Sequence, residues 1–208
     1  MQNSSMHEKP ARVARFFADT ALRTGGTAVL PEDAAHHAVH VMRLRAGDEV
    51  TLFDGRGGEY AGRIATIERL RVSVELLEHR PLERESPLAL TLVQAVSSSE
   101  RMDFTVQKAT ELGMRVLQPV LAARSVGRIA GERAAQKRAH WRRVAVAACE
   151  QCGRNRVPEV RPLMPLDSFL DAPPAGARLL LSPQGERGLR ELQRDTALTL
   201  LIGPEGGL

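Results

Sequence analysis

Leu88-Ala89-Leu90-Thr91-Leu92-Val93-Gln94-Ala95-Val96 is a mostly apolar run, opened by Pro87 and closed by Ser97-Ser98-Ser99. A strand with one wet face alternates apolar and polar residues, so a run without alternation predicts a strand buried on both faces, as in a parallel sheet. Ser97 followed by Glu100 has capping-box spacing, and Met102, Val106, Ala109 and Leu112 then recur at helical intervals until Gly113. Val116 to Leu121 reads as the next strand, with Pro119 marking an edge or a bulge. A long helix over Glu132 to Gln151 puts Trp141, Val144, Ala145 and Ala148 on one stripe, with Gly153 just past its end. Arg178 to Leu181 and Leu198 to Ile202 read as two further buried strands, separated by a short helical stretch from Glu186 to Arg194. Strands alternating with helices make residues 87–208 an α/β domain.

Upstream of Pro87 the rhythm is different. Gly25 to Leu30, Glu49 to Phe53, Glu59 to Ile64 and Arg71 to Leu76 are strand-length runs, parted by turn formers such as Ala46-Gly47-Asp48 and Asp54-Gly55-Arg56-Gly57-Gly58. One helix interrupts them, opened by Pro31-Glu32-Asp33 and carrying Ala34, Ala38 and Val41. The expectation is a small β-barrel over residues 10–82, preceded by a flexible tail over 1–9.

The 208 residues are 43% apolar and 26% charged, which allows a core without help from disulfides or metals and excludes wholesale disorder. No run approaches the roughly 18 apolar residues of a membrane span, and Met1 to Lys9 lacks the apolar centre of a signal peptide. A soluble cytoplasmic protein with no membrane partner is expected. The net charge is only +4, but Arg101 to Arg161 holds thirteen Lys and Arg against five Asp and Glu. Of the 29 basic residues 26 are Arg, the side chain that forks onto phosphate; solvated helix faces under a coding bias account for the same count.

Three constellations can carry chemistry. Leu201-Ile202-Gly203-Pro204-Glu205-Gly206-Gly207-Leu208 follows a buried strand, where ligands of open α/β sheets bind and where glycines let backbone approach closely. It matches neither the dinucleotide fingerprint nor the P-loop, and a plain strand-to-helix turn has the same pattern. In the second, Arg154 and Arg156 flank Asn155 just past a helix end; Arg can hold phosphate and Asn can pair with a base edge, while a solvated turn is the other reading. The third gathers His36, His37, His40 and Arg43 with Arg15-Phe16-Phe17, and suits RNA contact better than a metal. Cys149 and Cys152 form a lone C-x-x-C with no second pair to complete a zinc site, and read as two small buried thiols.

Glu85-Ser86-Pro87-Leu88, the block Met102-Asp103-Phe104 through Glu111-Leu112-Gly113, the block Ala147-Ala148-Cys149 through Arg156-Val157-Pro158, and the Gly-rich stretch Leu201 to Leu208 together resemble the RsmE family of small-subunit (16S) ribosomal RNA uridine N3-methyltransferases. His37 to Arg43 and Leu52-Phe53-Asp54-Gly55 extend the resemblance into the N-terminal half. It implies a PUA-like RNA-binding β-barrel followed by a SPOUT-type α/β domain with a trefoil knot. The implied assembly is a homodimer that uses S-adenosyl-L-methionine on 16S ribosomal RNA within the small subunit. The implied donor pocket is Leu181, Ile202, Gly203, Pro204, Glu205, Gly206, Gly207 and Leu208, and the implied RNA contacts are Arg15, His37, Arg43, Arg154 and Arg156. Catalysis falls to Arg154 or Arg156 for the charge that develops on the uracil oxygens, Asn155 for the base edge, and Glu205 as base or loop anchor. The apolar faces around Trp141 and Val144 are the expected two-fold interface. Family members continue for a few dozen residues beyond the Gly-Pro-Glu-Gly-Gly block, with a segment that closes knot and pocket, whereas this sequence stops at Leu208. A non-catalytic RNA-binding protein is therefore the alternative if the polypeptide ends there, and an α/β enzyme acting on a small nucleotide is a third reading.

Overall fold

Glycine-punctuated strands build the first of two units, Met1–Leu82, and the second is Glu83–Leu208. The structure, a computed structural model, describes residues 13–69, 71–123, 129–182, 184–185, 188, 191 and 196–204. The expected tail over 1–9, most of the expected helix from Glu186 to Arg194, and Glu205 to Leu208 lie outside the described residues.

In the first unit, β1 (Ala14–Phe17), β2 (Thr27–Val29), β3 (Glu49–Phe53), β4 (Glu59–Glu68) and β5 (Arg71–Arg80) form one sheet in the order β1-β3-β4-β5-β2. β1 runs parallel to β3, and the other pairings are antiparallel. Alternation sets the inner face: Val72, Val74 and Leu76 of β5 are buried, while Ser73 between them is half-buried and Arg71 and Glu75 are exposed. With Phe16, Val50, Leu52 and Ile64 they make one core, each side chain worth about 1.5–3 kcal/mol on burial. The expected helix is present in two parts. α1 (Glu32–His36) begins after Pro31, with acidic residues in its first turn, and widens at His37–Val41 into a π-helical turn closed by the Met42 N–H donating to the His37 carbonyl. Arg43 follows with φ +56°.

The second unit is built on an all-parallel sheet ordered β10-β11-β6-β7-β8, with β9 also on β7. The strands are β6 (Ala89–Ala95), β7 (Val116–Leu121), β8 (Glu159–Val160), β9 (Met164–Pro165), β10 (Ala177–Leu181) and β11 (Ala197–Ile202). β6 is internal and covered on both sides, as its mostly apolar run requires. Leu92 packs with Met102 and Val106 of α2 (Ser99–Glu111) and Trp141 and Ala145 of α3 (Gly131–Cys152), whereas Val93 and Ala95 pack with Phe169 of α4 (Leu166–Asp171).

Some expectations need correction. β10 is an exposed edge strand, with Leu180 56% and Leu181 42% exposed, because no further strand pairs with it among the described residues. The N-cap of α2 is Ser98, not Ser97, and its side chain makes no capping hydrogen bond. Pro119, expected at an edge or bulge, interrupts the partner rather than its own strand. β8 pairs with Val116 and Leu117, β9 pairs with Val120 and Leu121, and between them the Gln118 side chain donates to the Pro162 carbonyl at 2.9 Å.

Candidate functional site

Parallel strands bring their carboxyl ends to one edge, and at that edge of the second unit Leu181, Ile202 and Gln94 stand side by side in register. Ile202 and the following Gly203 are half-buried, and Pro204 is buried. Gln94, buried where an apolar residue would be ordinary, donates from Nε2 to the Ala95 carbonyl at 2.9 Å. Its signal in the sequence was an amide in an apolar run. Exposed Leu181, half-buried Ile202 and the side-chain-free backbone of Gly203 offer apolar surface beside main-chain donors and acceptors. That mixture fits a flat ligand with ring nitrogens and an exocyclic amine, such as an adenosyl group. Glu205, Gly206, Gly207 and Leu208, the rest of the expected donor pocket, lie outside the described residues.

The loop after α3 differs from expectation. Gly153 caps the helix at φ +89°, in the left-handed region a glycine adopts without strain, and turns the next residue inward. Arg154 is 4% exposed. Its Nε donates to Glu85 Oε1 at 2.9 Å and its Nη2 to Glu85 Oε2, while Nη1 donates to the Thr110 and Met114 carbonyls at 2.8 and 2.9 Å. Burial works against the charged guanidinium, but the hydrogen bonds and charge of Glu85, with Cys149 and Cys152 adding to them, hold its pKa above the ordinary arginine value. Asn155 is fully buried and engaged in its own interactions. The expected polar platform is thus a buried clamp at Arg154 and Asn155, because four acceptor contacts satisfy the guanidinium inside the unit. Only Arg156 is exposed; its Nε and Nη2 donate to Glu83 at 3.2 and 3.3 Å.

In the first unit Arg15 is likewise committed inward. Its Nη1 donates to Glu59 Oε2 at 2.6 Å, both side chains are nearly buried, and the guanidinium lies over the Phe53 ring. It is placed as a core ion pair rather than an RNA-facing cation. His37 and Arg43 are exposed on the π-helical turn and just after it, with the tilted rings of His36 and His40 4.6 Å apart.

Trp141, expected at a subunit interface, is 1% exposed within the core of its own unit and has no face to offer a partner. Val144 is half-buried against the same core. Cys149 is buried and Cys152 half-buried, both as free thiols, and no metal-holding cluster of His, Cys, Asp or Glu exists among the described residues.

A family model described as an RNA methyltransferase domain matches residues 84–208, and one described as an RNA methyltransferase PUA domain matches residues 30–77. The class is a two-unit RNA methyltransferase. A ribosomal RNA small subunit methyltransferase E from Neisseria gonorrhoeae, crystallised with S-adenosyl methionine, is 38% identical with a TM-score of 0.88, over 94% of this chain and 81% of that one. A Legionella pneumophila methyltransferase in complex with the same cofactor is 33% identical with a TM-score of 0.89, over 95% and 82%. The Mycobacterium bovis ribosomal RNA small subunit methyltransferase E is 32% identical over 210 residues, 93% of this chain and 76% of the relative. The chain belongs to the ribosomal RNA small subunit methyltransferase E family.

Proposed function

We propose that the chain is an S-adenosylmethionine-dependent methyltransferase acting on N3 of a uridine in the 16S ribosomal RNA of the small subunit. The observation that carries this reading is the match across both units, together with the open carboxyl edge at Leu181, Ile202 and Gly203. Residues 10–82 serve as the PUA-like RNA-binding module, closed into a barrel, and residues 87–208 as the SPOUT domain, with its trefoil knot, in a cytoplasmic homodimer. No helix among the described residues is long and apolar enough to cross a membrane.

Leu181, Ile202, Gly203 and Pro204, with Glu205 to Leu208 after them, are the residues that would hold the donor. When bound, it supplies a methyl group already activated on a sulfonium. The chain's own tasks are to place uridine N3 in line, take its proton, and meet the negative charge that spreads onto O2 and O4. Arg156 is the exposed guanidinium of the loop after α3 and is assigned that charge, while Glu205 is assigned to the proton or to anchoring its loop. Buried Arg154 and Asn155 hold Arg156 in place. His37 and Arg43 take RNA backbone in the first unit.

Incubation of the full chain with labelled donor and small subunits lacking the modification, followed by nucleoside analysis, is expected to place the label in 3-methyluridine. Donor-independent RNA binding with no transferred label would favour the non-catalytic alternative.

A further inference from the structure

Glu83-Arg84-Glu85-Ser86 lies along the loop after α3 and its surroundings, and each residue is fastened there. Glu83 accepts from Arg156, Arg84 Nη1 donates to the Gly153 carbonyl at 3.0 Å, Glu85 holds Arg154, and the Ser86 carbonyl accepts from Arg115 at 2.7 Å. The two arginine–glutamate pairs differ in kind. Arg154–Glu85 is almost wholly buried, at 5% and 11% side-chain exposure, with Nη1 donating to two carbonyls besides. Arg156–Glu83 is long and wet, at 52% and 40%. Water screens such a pair, and exposed pairs of this kind contribute little.

The contrast has a chemical reading. A carboxylate gripped by Nε and Nη2 of one guanidinium occupies the same fork that takes two oxygens of a phosphate. Arg154, Asn155 and the Gly153 cap hold the backbone that leads into Arg156, so exchange of one anion for another there needs only a side-chain movement. We propose that Glu83 is an internal competitor for RNA: it holds the Arg156 fork in the RNA-free protein and is displaced by an RNA phosphate, which sets the threshold affinity of this loop. The proposal rests on Arg156 being an RNA contact, as assigned above. Its consequence is selective, because an anion able to use both guanidinium nitrogens displaces Glu83, whereas monovalent salt only screens the pair.

The test is a double-mutant cycle on the full chain, with a labelled in vitro transcript of a small-subunit ribosomal RNA fragment as probe, at low and at moderate salt. Arg156→Ala should weaken binding and reduce its salt dependence. Glu83→Gln should tighten binding by about two- to five-fold at low salt, and less as salt rises. In the Arg156→Ala background Glu83→Gln should change nothing. Unchanged melting temperatures confirm that folding is not the variable, since both side chains are exposed. If Arg156→Ala weakens binding while Glu83→Gln leaves it unchanged, Glu83 is no competitor and the proposal falls, with the RNA contact intact. Equal tightening by Glu83→Gln in both backgrounds reduces the effect to net charge and also overturns it. If Arg156→Ala has no effect on RNA affinity, the assignment of Arg156 falls first, and the proposal with it.

Discussion

Arg154 and Arg156 are separated by one residue and share a side chain, yet the fold uses them oppositely. Removing one partner of a buried, hydrogen-bonded pair strands the other charge, so Arg154→Ala is expected to lower stability by about 3–5 kcal/mol in chemical denaturation. Arg156→Ala should stay within about 0.5 kcal/mol of wild type, as surface substitutions do. A small effect at Arg154 would mean that the clamp onto Glu85, Thr110 and Met114 is not holding this loop. Because the Arg154 pKa is raised, its contribution is fully present below the ordinary arginine value and is lost only as pH climbs through the folded one. Its own titration therefore leaves the denaturation midpoint flat across neutral and mildly alkaline pH. None of this asymmetry was legible in Gly153-Arg154-Asn155-Arg156. A guanidinium is buried only if acceptors converge on it, and those acceptors come from Glu85, Thr110 and Met114, 40 or more residues away. The same reason hid the inward turn of Arg15 toward Glu59, 44 positions off.

Elements defined by local pattern were read well, and those defined by neighbours were not. β3 and β7 fall where the strand-length runs placed them, and α3 stops at Gly153 for the reason its sequence suggests: the left-handed conformation there suits a residue without a side chain. Gly153→Ala should cost about 1–2 kcal/mol in a denaturation midpoint, since the nearest atom to an added Cβ, Arg84 Cδ at 3.7 Å, leaves room and only the backbone conformation objects. Gly62 of β4 is the opposite case, at a shift in the β4–β5 register. A Cβ there would stand 2.8 Å from the Glu75 carbonyl oxygen and from Val74 Cγ1, so Gly62→Ala should destabilise by about 1–3 kcal/mol through overpacking. The two-residue strands β8 and β9 and short α4 were missed because nothing so short carries a period. β10 was expected to be buried because its apolar run is that of an internal strand, and only the strand order shows that it is the edge. The Gly-rich stretch after β11, proposed to hold the donor, belongs to this scale as well. Gly206→Val is expected to abolish measurable S-adenosylmethionine binding by isothermal titration, while RNA affinity and melting temperature change far less. Retained donor affinity would overturn that assignment.

At the scale of the molecule, the reading of patterns divides the sequence near Pro87, and the fold has two compact units, Met1–Leu82 and Glu83–Leu208. The reading rests on a rhythm of short, turn-separated strands that gives way to long apolar runs alternating with helices, two ways of burying apolar surface that do not share one layer. The resemblance carried what periodicity has no means of giving: donor and substrate class. The central claim is methyl transfer to uridine N3, and this position has a direct physical signature, because a methyl group there removes the hydrogen-bond donor of the pairing edge and arrests a copying polymerase. Primer extension along small-subunit ribosomal RNA, before and after incubation with the full chain and S-adenosylmethionine, tests it most directly. The account predicts one new, donor-dependent arrest, one nucleotide short of a uridine; uninterrupted extension, or an arrest at another base, would contradict it.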